Sequence, residues 1–222
     1  RQKYVNHLYK RLQREGQLER DVDRLVRNDR IAWGASMIAC KDADAMVTGN
    51  IRHYTASIEK LKKVVDPRPG EEIFGMTMIN SKGKTILVAD TNVQDFPSAQ
   101  RLANVSKSCV RVARLFGFDP KVAFLSHSTF GKPVSKNTKH VRDAIELLKK
   151  EKADFDFDGE MQPDVALNPV YQEIYPFSKI VGKANILIMP ALHSAAISTK
   201  LMREYGGAKL IGPLLIGLGL PI

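Results

Sequence analysis

The sequence lacks the features that mark membrane, secreted and disulfide-rich proteins. No apolar run approaches the about eighteen residues of a membrane-spanning helix, and the N-terminal segment is polar and basic. Only two cysteines, Cys40 and Cys109, occur, each in an apolar helix-like context without metal-ligand spacing. We therefore expect a cytoplasmic protein with reduced core thiols, no membrane partner and no metal site in this chain.

Acidic residues are few relative to basic ones. The 24 Asp and Glu residues stand against 34 Lys and Arg residues, which gives a formal net charge of +10. The basic residues are spread along the chain without the interleaved aromatic residues of a nucleic-acid site, so no nucleic-acid partner is expected. Attraction of a phosphorylated small ligand explains the charge, and a charge without function is the alternative.

Helical and strand patterns alternate along the chain. Helices are predicted at 4–14, 19–27, 31–41, 51–65, 98–116, 138–150 and 194–205, and strands at 44–49, 72–80, 85–90, 122–125, 155–157, 185–189 and 209–211. The proline- and glycine-rich segment 66–70 predicts a boundary between a partial first lobe, 1–71, and a second lobe, 72–222. This alternation predicts an α/β fold with a mostly parallel sheet and helices on both faces.

A cluster of hydroxyl groups follows the apolar strand at 122–125. Ser126, Ser128 and Thr129 come directly after it, and Lys132 adds a cation. In open α/β sheets ligands bind beyond the carboxyl ends of the strands, and hydroxyls with a cation suit a phosphate-bearing or acyl ligand. The alternative is that these side chains cap the next helix or satisfy loop backbone.

Four sequence blocks resemble the phosphate acetyltransferase family in order and spacing. They are FLSHST at 124–129, FDGEMQPDVAL at 157–167, GKANILI at 182–188 and GGAKLIGPLL at 206–215. Further segments resemble one branch, the C-terminal acetyltransferase-like domain of bacterial NADP-dependent malic enzymes. They are DAMVTG at 44–49, NP at 168–169, YPFS at 175–178 and ALHSAAISTKL at 191–201.

The resemblance covers essentially the whole chain. It implies a two-lobed, three-layer α/β/α fold of the phosphate acetyl/butyryltransferase type, similar to isocitrate and isopropylmalate dehydrogenases. It also implies a longer polypeptide, whose upstream domains oxidise malate with NADP and a divalent metal, Mg²⁺ or Mn²⁺. No glycine-rich dinucleotide fingerprint follows a strand in this chain, so we expect no cofactor here.

In that branch the acetyltransferase-like domain binds acetyl-CoA, the usual inhibitor, and helps to build the oligomer. The resemblance therefore implies a regulatory domain that takes acetyl-CoA or a related acyl-CoA as effector, self-associates as a dimer or higher oligomer and contacts the upstream malic enzyme domains. Two alternatives stay open: an active phosphate acetyltransferase, which converts acetyl-CoA and phosphate to acetyl phosphate and CoA, and a purely structural oligomerisation module.

Two departures from active transferases favour ligand binding without acetyl transfer, and we expect no catalytic residue. Active members place a Ser-Arg pair shortly after a Gly-Leu-x-x-Pro stretch, whereas here 217–221 is followed only by Ile222. In an ungapped comparison, a catalytic arginine of the family falls at Glu59, whose carboxylate repels phosphate. The neighbouring Lys60 partly compensates if the register differs by one residue.

The resemblance places two segments at an inter-lobe cleft. The first is the loop 126–132, which carries the hydroxyl cluster. Lys132 is expected to hold phosphate, and the hydroxyls of Ser126, Ser128 and Thr129 are expected to contact pantetheine or the acyl group. The second segment is expected to hold phosphate and stack on adenine, and comprises Arg52, His53 and Tyr54. Ordinary packing at a helix start is the alternative for His53 and Tyr54.

Four other polar residues are interpreted as structural. His193 and Ser194 stand where a helix begins and are expected to cap it, although an anion also suits that position. Asp158 and Glu160 flank a glycine and are expected to serve turn chemistry rather than to form an acid pair or a metal site.

Overall fold

The computed structural model describes residues 1–49, 53–90, 93 and 95–222. These residues form two compact units, Arg1–Glu71 together with Gly217–Ile222, and Glu72–Ile216. In the described ranges, no helix has the length and apolar character needed to cross a membrane.

The first unit is helical throughout its described elements, which are α1 (Gln2–Leu12), α2 (Glu19–Asn28), α3 (Arg30–Ala39) and α4 (Tyr54–Val64). The apolar stripe of α1 is buried at Tyr4, Val5, Leu8 and Leu12, as the helical spacing predicts. Asp29 caps α3, since its carboxylate accepts hydrogen bonds from the backbone N–H groups of Ile31 (2.9 Å) and Ala32 (3.1 Å). Asp29 also forms an ion pair with Lys60 on α4, which ties the two helices together.

The strand predicted at 44–49 is absent, and this prediction was wrong. Met46 N–H donates to the Pro221 carbonyl (3.0 Å), but no ladder continues from this bond through the described residues. Val47 is fully exposed. A strand is stable only beside a partner strand, and the apolar pattern of a single segment does not show whether a partner is present.

The second unit contains one six-stranded sheet and five helices among its described residues. The strands are β1 (Phe74–Ser81), β2 (Lys84–Ala89), β3 (Lys121–Leu125), β4 (Asp156–Met161), β5 (Ile186–Ile188) and β6 (Lys209–Ile216). The helices are α5 (Ala99–Leu115), α6 (Lys139–Lys150), α7 (Pro163–Leu167), α8 (Pro169–Gln172) and α9 (Leu192–Glu204). The prediction of an α/β fold is confirmed.

The strand order is β4-β3-β5-β2-β1-β6, and β1 alone runs against the other five strands. The pairs β3–β4, β3–β5 and β2–β5 are parallel, so their carboxyl ends meet at one edge of the sheet. The helices cover both faces. One core cluster packs α5 and α6 on the sheet, and a second packs α7 and α9 on the opposite face.

The last six residues lie with the first unit, although the expected boundary at residue 72 assigns everything beyond it to the second lobe. Backbone hydrogen bonds explain this placement. Arg68 N–H donates to the Gly217 carbonyl, and Gly219 N–H donates to the Asp66 carbonyl, each at 2.8 Å. The chain thus returns to the first unit after β6.

Candidate functional site

A cavity of about 550 Å³ opens in the second unit at the carboxyl ends of β3 and β5. Ser126, the first residue after β3, lines one side of it, and Pro190 and Ala191, which follow β5, line another. This is the edge at which ligands bind in open parallel sheets, because the loops beyond the strand ends leave a crevice there. Its volume lies within the about 300–1,000 Å³ usual for small-molecule sites.

Three of the chain's five histidines line this cavity, namely His127, His140 and His193. His140 lies on α6, and its Nε2–H donates to the Pro190 carbonyl (3.0 Å), because a carbonyl oxygen only accepts. The His193 ring lies 5.7 Å from the Phe96 ring, centroid to centroid. No carboxylate lines the cavity among the described residues, so its polar lining consists of imidazoles, hydroxyls and an amide.

The loop after β3 is held by the buried carboxylate of Glu160, on β4. One oxygen, Oε1, accepts three hydrogen bonds, from Ser128 Oγ (2.8 Å), Gly131 N–H (3.0 Å) and Arg142 Nη1 (3.1 Å). The other, Oε2, is buried without a hydrogen-bond partner among the described residues. Glu160 is 1% exposed, so these bonds form away from water, where charged hydrogen bonds are strong.

Thr129 and Gln162 complete the support of the loop. The Gln162 backbone N–H donates to Thr129 Oγ1 (3.2 Å), and the Gln162 side chain donates to the His127 carbonyl (2.9 Å). Thr129 and Lys132 exchange two backbone hydrogen bonds of 2.8 and 3.1 Å, which close a tight turn. The loop is therefore fixed by side chains of β4 and of the segment that follows it.

The structure separates the roles of the four loop residues expected to bind a ligand. Ser126 faces the cavity, with its Oγ 3.4 Å from Ser128 Oγ. Ser128 and Thr129 are buried and use their hydroxyls to hold the loop. Lys132 is exposed and lies outside the lining of the cavity.

The second expected segment belongs to the first unit. His53 is exposed and stands at the N-cap of α4 without a side-chain capping bond, and Tyr54 begins that helix half-buried. Arg52 lies outside the described residues. Glu59 is exposed on α4, and Lys60, the cation considered as its substitute, is engaged by Asp29.

His193 and Ser194 do not cap α9, whose N-cap is Ala191 with no side-chain capping bond; both line the cavity instead. His127 and His140 also line the cavity but were not predicted from the sequence. A signal for His127 was available, since it directly follows Ser126 within the first family block. His140 carried none, because only the packing of α6 brings it to this edge.

Asp158 and Glu160 lie within β4 and not in a turn, so the expected turn chemistry was wrong, but both carboxylates serve as structural hydrogen-bond acceptors. Asp158 Oδ2 accepts a hydrogen bond from Lys179 N–H (2.7 Å), and its Oδ1 accepts one from Gly159 N–H (2.9 Å). No group of three or more histidine, cysteine or carboxylate side chains that suits a metal ion occurs in the described ranges. Both cysteines are free thiols, with Cys109 buried and Cys40 partly exposed.

The chain is similar in sequence to NADP-dependent malic enzymes and in fold to phosphotransacetylases. The chain is 47% identical over 215 residues to the NADP-dependent malic enzyme of Rhizobium meliloti, a match that covers 97% of this chain and 28% of that protein. It is 37% identical over 231 residues to the probable NADP-dependent malic enzyme of Rickettsia prowazekii, covering 100% of this chain and 30% of that protein. The chain thus spans less than a third of the length of these relatives.

Solved phosphotransacetylases have the same fold. A phosphotransacetylase from Streptococcus pyogenes superposes with a TM-score of 0.89 at 29% identity, covering 98% of this chain and 68% of that one. The phosphate acetyl/butaryl transferase family model matches residues 1–222. The expected resemblance is confirmed, and the chain belongs to the phosphate acetyl/butaryl transferase family.

Proposed function

We propose that this chain is the acyl-CoA-sensing domain of an NADP-dependent malic enzyme, which oxidises malate to pyruvate in upstream domains and is regulated by acetyl-CoA bound here. The observation that carries the proposal is the similarity, over 97% of this chain, to 28% of the length of a malic enzyme. The name of that relative describes the whole polypeptide. The role of this part rests on the cavity and on the transferase fold.

The cavity beside Ser126 suits the acyl and pantetheine end of acetyl-CoA. Its walls include Phe96, Pro97 and Pro190, which offer apolar surface to an alkyl chain. The imidazoles and the Ser126 hydroxyl supply donors for the carbonyl and amide oxygens of the ligand. The net charge of +10 favours approach of the anionic nucleotide end.

Two observations support sensing over catalysis. Acetyl transfer to phosphate needs cations for the phosphate and donors for the developing oxyanion. On α4, the position that the family comparison assigns to an arginine is Glu59, and the adjacent Lys60 already pairs with Asp29. Among the described residues, neither lysine nor arginine lines the cavity. Binding at such a site regulates malate oxidation when acetyl-CoA prefers one of two arrangements of the whole enzyme.

Calorimetric titration of the purified chain with acetyl-CoA tests the binding step. We expect saturable binding that weakens about tenfold in Ser126→Ala and His193→Ala, since each loses a hydrogen bond to the ligand. His7→Ala is the matched control, because His7 is an exposed histidine on α1 of the first unit and we expect it to leave the affinity unchanged. Absence of binding at millimolar acetyl-CoA contradicts the proposal.

A second assay separates sensing from catalysis and from a structural role. The chain is incubated with acetyl-CoA and inorganic phosphate, and free CoA is measured. We expect no phosphate-dependent release of CoA; release at enzymatic rates supports an active phosphate acetyltransferase instead. In the malic enzyme polypeptide, we expect acetyl-CoA to change the rate of malate-dependent NADP reduction, and to change it less in Ser126→Ala.

Self-association is the second part of the proposal. Along one face of α9 and its C-cap residue Tyr205, three apolar or aromatic residues are exposed at intervals of four: Ile197 (58%), Leu201 (60%) and Tyr205 (96%). The stripe is symmetric about Leu201, so the same stripe of a second copy, running antiparallel, covers it in an isologous contact. We expect Leu201→Glu to lower the oligomeric state in sedimentation velocity experiments. The control Lys200→Glu changes an exposed neighbour outside the stripe, and equal behaviour of the two variants contradicts this assignment.

A further inference from the structure

A second cavity, of about 440 Å³, lies at the opposite edge of the sheet from the Ser126 cavity. Lys84, which begins β2, and Lys183, which precedes β5, stand at this edge, where the parallel strands start. Uncharged polar and apolar side chains complete the lining, and the apolar ones include Ile86, Phe118 and Met202. All of these residues belong to the second unit.

The sheet register brings the two lysines to the same edge of the sheet, on neighbouring segments. Leu87 of β2 pairs with Ile186 of β5 in a parallel ladder, and three residues back along both segments stand Lys84 and Lys183. Like charges directly opposite on neighbouring strands are destabilising. Side-chain contact with Lys84, together with repulsion between the two positive charges, lowers the pKa of Lys183.

Among the described residues, no carboxylate relieves this repulsion, since none pairs with either lysine and none lines the cavity. The neighbouring Lys121 has another partner, since its Nζ donates to the Val181 carbonyl (2.6 Å). The side chain of Asn185, which also lines the cavity, accepts from Lys121 N–H (2.8 Å) and donates to the Asp119 carbonyl (2.6 Å).

The lining thus combines two adjacent cations with several apolar side chains. An inorganic anion contacts only the two lysines favourably, and a neutral apolar molecule contacts only the apolar side chains favourably. A molecule with one anionic head and an alkyl chain uses both, because its head offsets the lysine repulsion while its chain is removed from water.

We propose that this cavity binds an amphipathic carboxylate, with its head between Lys84 and Lys183 and its alkyl chain against Ile86, Phe118 and Met202. The site is separate from the Ser126 cavity, because the two lie at opposite edges of the sheet. Its occupancy does not depend on the acetyl-CoA proposal.

Calorimetric titration of the purified chain with sodium octanoate tests the proposal. We expect one saturable site, with acetate, which lacks the chain, and 1-octanol, which lacks the charge, each binding at least about tenfold more weakly. Lys84→Met and Lys183→Met are each expected to weaken octanoate binding about tenfold, since each removes one charged hydrogen bond. Lys209→Met is the matched control, because Lys209 is exposed at the start of β6 and lies outside the cavity lining.

A measurement on the unsubstituted protein complements the variants. In NMR titrations of labelled lysine side chains, octanoate is expected to raise the pKa of Lys183, because the bound anion stabilises the charged ammonium. Ser126→Ala is expected to leave octanoate binding intact, which separates this site from the acetyl-CoA site. The proposal is overturned if octanoate fails to bind at millimolar concentration, if octanol binds as tightly, or if both lysine variants bind as the unsubstituted chain does.

Discussion

The Ser128 hydroxyl donates a 2.8 Å hydrogen bond to Oε1 of Glu160, thirty-two residues later in the chain. This bond joins the loop after β3 to the neighbouring strand β4. Because Arg142 and the Gly131 N–H donate to the same oxygen, the buried carboxylate fixes the loop that carries Ser126. The position of a cavity residue thus depends on a side chain that does not line that cavity.

Glu160→Gln is expected to destabilise the chain by about 1–3 kcal/mol, because the amide loses the charge that faces Arg142 and leaves buried donors poorly paired. Urea unfolding measures the change. Glu146→Gln is the matched control, since Glu146 is an exposed glutamate paired with Lys149 on one helix surface and contributes less than about 1 kcal/mol. Equal losses in the two variants contradict the role assigned to Glu160. The same variant is expected to weaken acetyl-CoA binding through displacement of Ser126.

Gly159→Ala is expected to destabilise the chain by about 3 kcal/mol, from backbone strain of about 1–2 kcal/mol and overpacking of about 1–3 kcal/mol. Gly159 has a φ of +146°, and a Cβ there lies 2.6 Å from the Phe124 carbonyl oxygen. Gly83, in the β1–β2 turn, has a φ of +72° with nothing within 4 Å of its Cβ position. Gly83→Ala therefore carries the strain without the clash. If Gly159→Ala lowers the free energy of unfolding no more than Gly83→Ala does, the close approach of β3 and β4 at Gly159 does not contribute to stability.

Cys109 is expected to resist a thiol reagent such as Ellman's reagent until the second unit unfolds, whereas the partly exposed Cys40 reacts slowly in the folded chain. The pKa of each thiol is raised, mainly because burial disfavours the charged thiolate. The contribution of the Cys109 thiol to the free energy of unfolding is therefore complete below the unfolded thiol pKa of about 8.5. It falls as the pH rises above that value, because the thiol ionises freely only in the unfolded chain. Cys109→Ala is expected to flatten this alkaline decline, and rapid labelling of both thiols in the native chain refutes the prediction.

Asp66→Asn is expected to lower stability at neutral pH by less than about 1 kcal/mol, because the exposed Asp66 carboxylate pairs with Arg11 in a largely solvated setting. The hydrogen bond from Arg11 lowers the pKa of Asp66. The stabilisation is therefore present above the unfolded Asp pKa of about 3.9 and is lost as pH falls through the lower folded value. Unfolding curves of the two proteins should converge in acid, and a difference that persists there rules out the ion pair as its cause.

The sequence predicts most elements of the second unit, though not the short helices α7 and α8, because the signals of the longer elements are local. Helical stripes and apolar runs identify α5, α6 and β3, and the Ser81–Lys84 turn identifies the β1–β2 hairpin. Strand β4 is longer than predicted, since it continues through Gly159 and Glu160, residue types that do not favour strands. Glu160 is explained by the hydrogen bonds of its carboxylate and Gly159 by its close approach to Phe124, and neither contact is visible in the hydrophobic periodicity.

The candidate site was predictable only in part, because most of its residues are brought together by tertiary structure. Ser126 is the exception, since it follows an apolar strand and ligands bind beyond the carboxyl ends of such strands. The partner of Ser128 is thirty-two residues away, and the histidines of the cavity come from three separate segments. These relationships depend on sheet register and on the packing of α6, which no short stretch of sequence specifies.

The first and last strands of the second unit lie side by side, with Phe74 of β1 opposite Ile216 of β6. The points at which the polypeptide enters and leaves this unit are therefore about 5 Å apart, the usual Cα spacing of antiparallel partners. A segment whose ends adjoin in this way is removable as a single piece, since a short linker closes the gap. Residues 72–216 are accordingly suited to excision and to circular permutation, and to transfer between proteins as one inserted module.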